Sequence, residues 1–225
     1  MSTAESLRDQ LRDERSRRVV FLSHCLLDEN TRYLGGACRR CCVREVVEQC
    51  MDRGIGMRQM PCPERVVWGG VLKRRMLALY GLERRSALGG ALARRLLPVV
   101  LRHVRRRYRA IARRVANEID DDLRSGISVV GIVGIDGSPT CGVQRTLDVT
   151  SAVRSMTRLD PTALTVEQQN ELVRHHAVPG RGMFIEELAR ALAARHIVLP
   201  FLAHDLFAEL DGRRSSVAFG AGPSR

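Results

Sequence analysis

Lysine is almost absent from this chain: Lys73 is the only one among 37 basic residues in 225, so the positive charge is carried by arginine. Long hydrophobic runs are missing too, and no stretch reaches the roughly 18 apolar residues that a membrane-spanning helix needs. The N-terminus, MSTAESLRDQLRDERSRR, contains acids and lacks an apolar segment. That excludes a secretory signal or an acid-poor transit peptide and gives an expectation of a cytoplasmic protein. There is no internal repeat, and the GGA and GGV pairs do not form a phosphate-binding fingerprint, so no dinucleotide cofactor is expected. What is present suits a globular core, since 44% hydrophobic and 28% charged residues disfavour disordered, collagenous and coiled-coil classes. The length suits one domain or at most two. Seven cysteines form an odd count in a chain too large to need disulfide staples. In a reducing compartment such thiols pack, ligate metal or react.

The net charge is +12, and its placement is uneven. Eleven arginines, from Arg84 to Arg114, fall in a window with no acidic residue. Such a stripe has two readings, a solvated helix face or a phosphate-tracking surface for RNA.

Residues 18–24, RVVFLSH, read as a buried strand leading into a loop with Gly35 and Gly36. A helix is expected from about 39 to 53, then a weaker strand at 56–61. Leu97, Leu101, Val104, Tyr108, Ile111 and Val115 recur at helical spacing within 90–124, with Pro98 starting or bending that helix. The run 127–135, ISVVGIVGI, is apolar throughout, as in a parallel sheet covered on both faces. An amphipathic helix at 184–195 and a strand at 197–202 follow. Strands alternating with helices imply an α/β fold with a mainly parallel sheet, flanking helices and one long basic helix. The expected organisation is a charged extension (1–17), one α/β domain (18–211) with the basic helical insertion at 84–124, and a flexible tail (212–225).

Cys25 closes the first strand, Cys62 the second, and Cys141 follows the third after GIDGSPT, which places all three on one sheet edge. In open α/β sheets the carboxyl edge binds ligands, because successive loops converge there. The cysteines lie 37 and 79 residues apart, too far for a zinc knuckle and ordinary for ligands gathered by a fold. Three soft thiolates without a fourth partner suit an iron-sulfur cluster or a metal with an open position, and structural cysteine is the competing reading.

The segments SHCLLDENTRYLGG (23–36), PCPE (61–64), GIDGSPTCGV (134–143) and GRGMFIEELARAL (180–192) together resemble the 2-thiouracil desulfurase family and its related desulfidases. The resemblance runs from about residue 18 to 205. It implies a Rossmann-like fold and a 4Fe-4S cluster held by Cys25, Cys62 and Cys141, with the fourth iron free of protein. It also implies non-redox transfer of sulfur from a thiocarbonyl to that open iron, the substrate being a thiolated small molecule, a thionucleobase such as 2-thiouracil. Asp28 stands where the family has glycine, VVWGGVLKRR replaces a proline-rich stretch, and the arginine helix is an expansion.

That chemistry needs a base for water and a proton donor. Glu64, two residues after Cys62, and Asp136, before Cys141, are the candidate bases, with a capping role as the alternative for each. Asp28 and Glu29 are weaker candidates. Ser138 would donate to substrate or to a cluster sulfide, or would only set the turn before Pro139. Gly137 and Gly142, like Gly35 and Gly36, would let backbone approach a bulky cofactor. Arg32 would pair an anionic substrate group or balance thiolate charge. Cys38, Cys41, Cys42 and Cys50 read as structural thiols, with a second metal site or sulfur relay as the alternative. The rival function is an RNA-binding or RNA-modifying protein that uses the Arg84 to Arg114 stripe beside a structural metal.

Overall fold

The structure, a computed structural model, describes residues 10–11, 13–76, 87–156, 159 and 163–220, with the side chains of 87–94 and 97 excepted. Arg84 and Arg85 of the stripe, the Arg94 side chain and most of the expected 1–17 extension lie outside the described residues.

Four strands form a parallel sheet in the order β2, β1, β3, β6: β1 Arg18–Leu22, β2 Gly56–Gln59, β3 Ser128–Ile135 and β6 Phe201–His204. β4 (Arg145–Leu147) and β5 (Ala177–Pro179) pair antiparallel beside it. The helices are α1 His24–Leu27, α2 Arg44–Asp52, α3 Pro63–Trp68, α4 Ala87–Arg124, α5 Val149–Met156, α6 Val166–His175, α7 Met183–Ala193 and α8 Leu206–Leu210. This is the α/β arrangement read from the alternation of strands and helices, and of the Rossmann-like type that the resemblance implies. Among the described residues no helix is long and apolar enough to cross a membrane.

β1 and β3 form where the apolar runs predict them because they are interior to the sheet. Val20, Phe21, Leu22, Ile132 and Val133 are almost fully buried, so β-branched and aromatic side chains gain burial on both faces. The basic helix α4 runs 38 residues with Pro98 inside it, rather than starting there. Its buried seam, Val104, Tyr108, Ile111, Val115 and Ile119, packs against α7 and β3. Two of its arginines are structural. Arg105 Nε and Arg109 Nε donate to the two Glu187 oxygens at 2.6 and 2.7 Å, and Arg105 also pairs with Glu186. Burial works to raise the Glu187 pKa, but hydrogen bonds from Arg109 and Arg105 outweigh it and bring the carboxyl down to about 2.

Three expectations change. The strand expected at 197–202 begins only at Phe201, after Pro200, which has no N–H to give to a ladder. The helix expected from 39 begins at Arg44, because Glu29 Oε2 accepts the backbone N–H groups of Cys38 and Arg39 at 2.7 and 2.9 Å and holds that stretch as a loop. The expected flexible tail from 212 instead packs over 213–220. Ser215, Val217 and Phe219 turn inward at alternate positions, Val217 exchanges hydrogen bonds with the Gln49 amide, and Arg53 lies over the Phe219 ring. The small, polar composition of this stretch concealed a period-two apolar pattern.

Glu187 gives a pH signature. Its folded pKa lies below the unfolded value of 4.5, so its contribution to stability is present above that value and is lost as pH falls toward about 2. Urea unfolding of Glu187→Gln should therefore show lower stability than wild type at pH 7 and a shallower fall through that acid window. Parallel pH profiles for the two proteins would contradict the clamp.

Candidate functional site

Parallel pairing brings the strand ends level. Ser23 N donates to Val133 O, Met60 N to Leu22 O, and Asp136 N to His204 O, each at 2.9 Å. The residues that follow β1, β2 and β3 carry the three cysteines. Cys25 lies in the single turn α1, Cys62 caps α3 with its sulfur accepting from Arg65 N at 3.4 Å, and Cys141 closes a tight return after β3. All seven cysteines are free.

The Cys141 return is held from several sides. Cys141 O accepts from Ile135 N at 2.9 Å. A Cβ on Gly134 would fall 2.2 Å from that same oxygen, and a Cβ on Gly142 would fall 2.2 Å from Arg145 O. Gly142 is therefore required by neighbouring backbone, not by a cofactor, and Gly137 at φ +85° faces the Phe207 ring. Of the first-loop glycines, Gly36 faces the Tyr33 ring and Gly35 the Val166 side chain. From the other side, the N–H groups of Met183 and Phe184, at the start of α7, donate to Pro139 O and Thr140 O at 3.0 and 3.1 Å. The GRGMF block thus acts on the site through the backbone.

Asp136 and Ser138 belong to this scaffold. Asp136 Oδ1 accepts from the backbone N–H of Val143, Gln144 and Arg145 at 3.0, 2.9 and 3.3 Å, with the residue buried. A carboxylate held this way stabilises a turn and is poorly placed to take a proton from water. Ser138 Oγ accepts from Thr140 N and Cys141 N at 3.2 and 3.0 Å, so it sets the turn as the alternative reading had it.

Glu64 is different. It stands beside the thiols, its charge raising the pKa of Cys25, Cys62 and Cys141. Its Oε1 accepts from Thr140 Oγ1 at 2.7 Å, and its Oε2 pairs with Lys73 Nζ. Burial would raise the Glu64 pKa, yet the charge and hydrogen bond of Lys73, with help from Thr140, bring it below the ordinary value. Lys73 is desolvated but is raised by Glu64. The one lysine of the chain is thus an 8% exposed ammonium next to the thiols. Its sequence signal was its uniqueness, eleven residues beyond Cys62 in the segment that departs from the family pattern.

A second buried charge lies near Cys25. Arg32 Nη1 donates to Gly36 O at 3.2 Å and to Glu209 Oε2 at 2.7 Å. Glu209 in turn is 3.0 Å from His204 Nε2 at the end of β6. Burial raises the Glu209 pKa, and the adjacent His204 and Arg32 reverse this, to about 2. Arg32 Nε and Nη2 make no hydrogen bond, although Glu29 Oε1 lies 3.6 Å from Nη2. The Ser23 hydroxyl is likewise buried without a fully formed hydrogen bond, and it stands beside Cys141. Desolvation pushes Cys25 up to about 12, with Arg32 and Lys73 opposing. It raises Cys62 and Cys141 as well. Buried donors cost about 1–3 kcal/mol each when left unmade, so an edge with three thiols and unmatched N–H and O–H donors fits an electron-rich, acceptor-bearing group.

Among the described residues no group of three His, Cys, Asp or Glu stands close enough for a single metal ion. A cubane cluster, whose cysteines bind different irons, does not need them so close. Of the remaining thiols, Cys50 is on the buried face of α2, Cys38 is exposed but near Arg32 and Glu209, Cys41 is exposed and Cys42 is half-buried. Of the weaker acids, Asp28 caps the turn at Asn30 N, and Glu29 serves the 38–39 backbone.

If Asp136 is scaffold, Asp136→Ala should lower the stability of the metal-free protein by at least about 2 kcal/mol in urea, since three backbone donors lose a charged acceptor. Unchanged stability with lost turnover would return Asp136 to the role of base. Comparison with protein-family models, curated proteins and solved structures finds no match to the chain.

Proposed function

We propose that this chain is an iron-sulfur-dependent desulfurase that removes sulfur from the thiocarbonyl of a small molecule, a thionucleobase such as 2-thiouracil. Cys25, Cys62 and Cys141 would hold a 4Fe-4S cluster. The observation that carries the reading is the convergence of three thiols and two buried cations, Lys73 and Arg32, on the carboxyl edge of a parallel sheet. The family resemblance in the same loops supports it. When bound, the cluster would supply a Lewis-acidic iron with an open position for the thiocarbonyl sulfur.

The chain's own residues divide the remaining work. Glu64 is the carboxylate beside the thiols, and its free lone pairs would orient the attacking water, while Thr140 and Lys73 fix its direction. Its lowered pKa makes it a weak base, so orientation is its larger contribution. The Lys73 ammonium stabilises negative charge that grows on the departing sulfur, in a site where low dielectric strengthens the effect. Ser23 stands beside Cys141 and Arg32 near Cys25, where their unmatched donors would serve sulfur.

In its RNA-modifying form, the rival reading would have the arginine stripe deliver RNA to this site. It is disfavoured by the orientation of α4. Tyr108 is buried beside Thr140, Glu64 and Cys141, with its hydroxyl accepting from Trp68 Nε1 at 3.1 Å. Arg106 and Arg113 leave the opposite side of that helix and are exposed.

Anaerobic purification with iron and sulfide quantitation tests the reading, beside Cys141→Ala and Lys73→Met. Near four irons and four sulfides per chain are expected, lost in Cys141→Ala, together with sulfide release from 2-thiouracil. Lys73→Met should keep the iron and lose turnover by about 100-fold or more. Zinc, no metal, or a full cluster without sulfide release from any thiolated compound would overturn the proposal.

A further inference from the structure

We propose that the outer face of α4 is a docking surface for single-stranded RNA, bound through its phosphates. This inference does not rest on the cluster. Arg95, Arg102, Arg106, Arg107, Arg113 and Arg114 are exposed and have no partner among the described residues. Between residues 84 and 117 the chain has no acidic residue.

Arginine abundance alone does not explain this face, because the same structure supplies a control. Elsewhere the described arginines are largely engaged: Arg39 with Glu45, Arg58 with Asp122, Arg174 with Asp211, and Arg145 and Arg181 over aromatic rings. Unpartnered ones outside α4, namely Arg40, Arg65, Arg74 and Arg214, are scattered. Within α4 itself the division follows the side of the helix. Arg105 and Arg109 reach α7 and are paired there. The outward arginines repel one another at helical i, i+4 spacing, as Arg102 and Arg106 do, and a polyanion removes that repulsion.

The shape selects among polyanions. The apolar seam of α4 is already covered by α7 and β3, so the face cannot insert into a lipid interface as an amphipathic helix does. A convex ridge meets a rigid duplex only over a short tangent, whereas a flexible strand follows it. From Arg95 to Arg113 the ridge runs about 27 Å at the helical rise per residue. The free single strands of a cell are chiefly RNA. The partner is thus single-stranded RNA read by backbone, without base specificity.

Fluorescence anisotropy of a labelled oligouridylate with the full chain, from about 50 to about 200 mM KCl, tests this. Wild type should bind with a log–log salt slope of about −3.5 for five phosphate contacts. A variant carrying R102Q, R106Q, R107Q, R113Q and R114Q should bind at least about tenfold more weakly at the lowest salt, with most of that slope gone. A second variant carrying R40Q, R65Q, R74Q and R214Q loses a similar charge and should bind within about twofold of wild type. Thermal melting by circular dichroism confirms that both variants are folded. No wild-type binding at the lowest salt, equal loss in the two variants, or equally tight binding of duplex DNA or anionic vesicles would overturn the proposal.

Discussion

Parallel pairing of β1 with both β2 and β3 is the constraint on which the rest of the structure depends. Because the three strands point the same way, their ends come level through single backbone hydrogen bonds, Ser23 to Val133 and Met60 to Leu22 among them. Everything at the candidate site is a consequence of where the chain goes next. It enters a one-turn helix after β1, a cysteine-capped helix after β2, and a tight return after β3 that is held by Asp136 and by the first N–H groups of α7. Three thiols separated by long stretches of sequence meet because the strands leave their ends no other place.

The second organising element is charge buried in pairs. Lys73 with Glu64 and Arg32 with Glu209 put two cations near the thiols, each desolvated and each matched by a carboxylate. Removing one partner of such a pair leaves a charge uncompensated, which is far more disruptive than losing an exposed ion pair. The pairs give the edge a fixed electrostatic arrangement while leaving donors such as Arg32 Nε unmatched. That combination of rigid charges and open donors supports the proposal that the edge is a binding site.

Much of this was legible in the residues. The strands 18–22 and 128–135 announce themselves as continuous apolar runs, and the cysteines can be placed on one edge once those strands are recognised. The roles of Asp136 and Lys73 were not legible. A carboxylate seven to nine residues before three backbone N–H groups looks the same in sequence whether it caps a turn or activates water, and only the folded return decides. Lys73 gave no periodic signal at all; its meaning came from tertiary proximity to Glu64. The tail from 213 was obscured by serine and glycine around Val217 and Phe219, whose burial depends on a partner, Gln49, far back in the chain.

The burial of the sole lysine has an experimental use. An amine-directed acylating reagent applied to the native chain meets no other ε-amino group, and Lys73 Nζ is shielded and held by Glu64. Acylation at that position can proceed only when the thiol edge opens. Its rate is therefore a built-in clock for local opening, read on the unmodified sequence without any engineered probe.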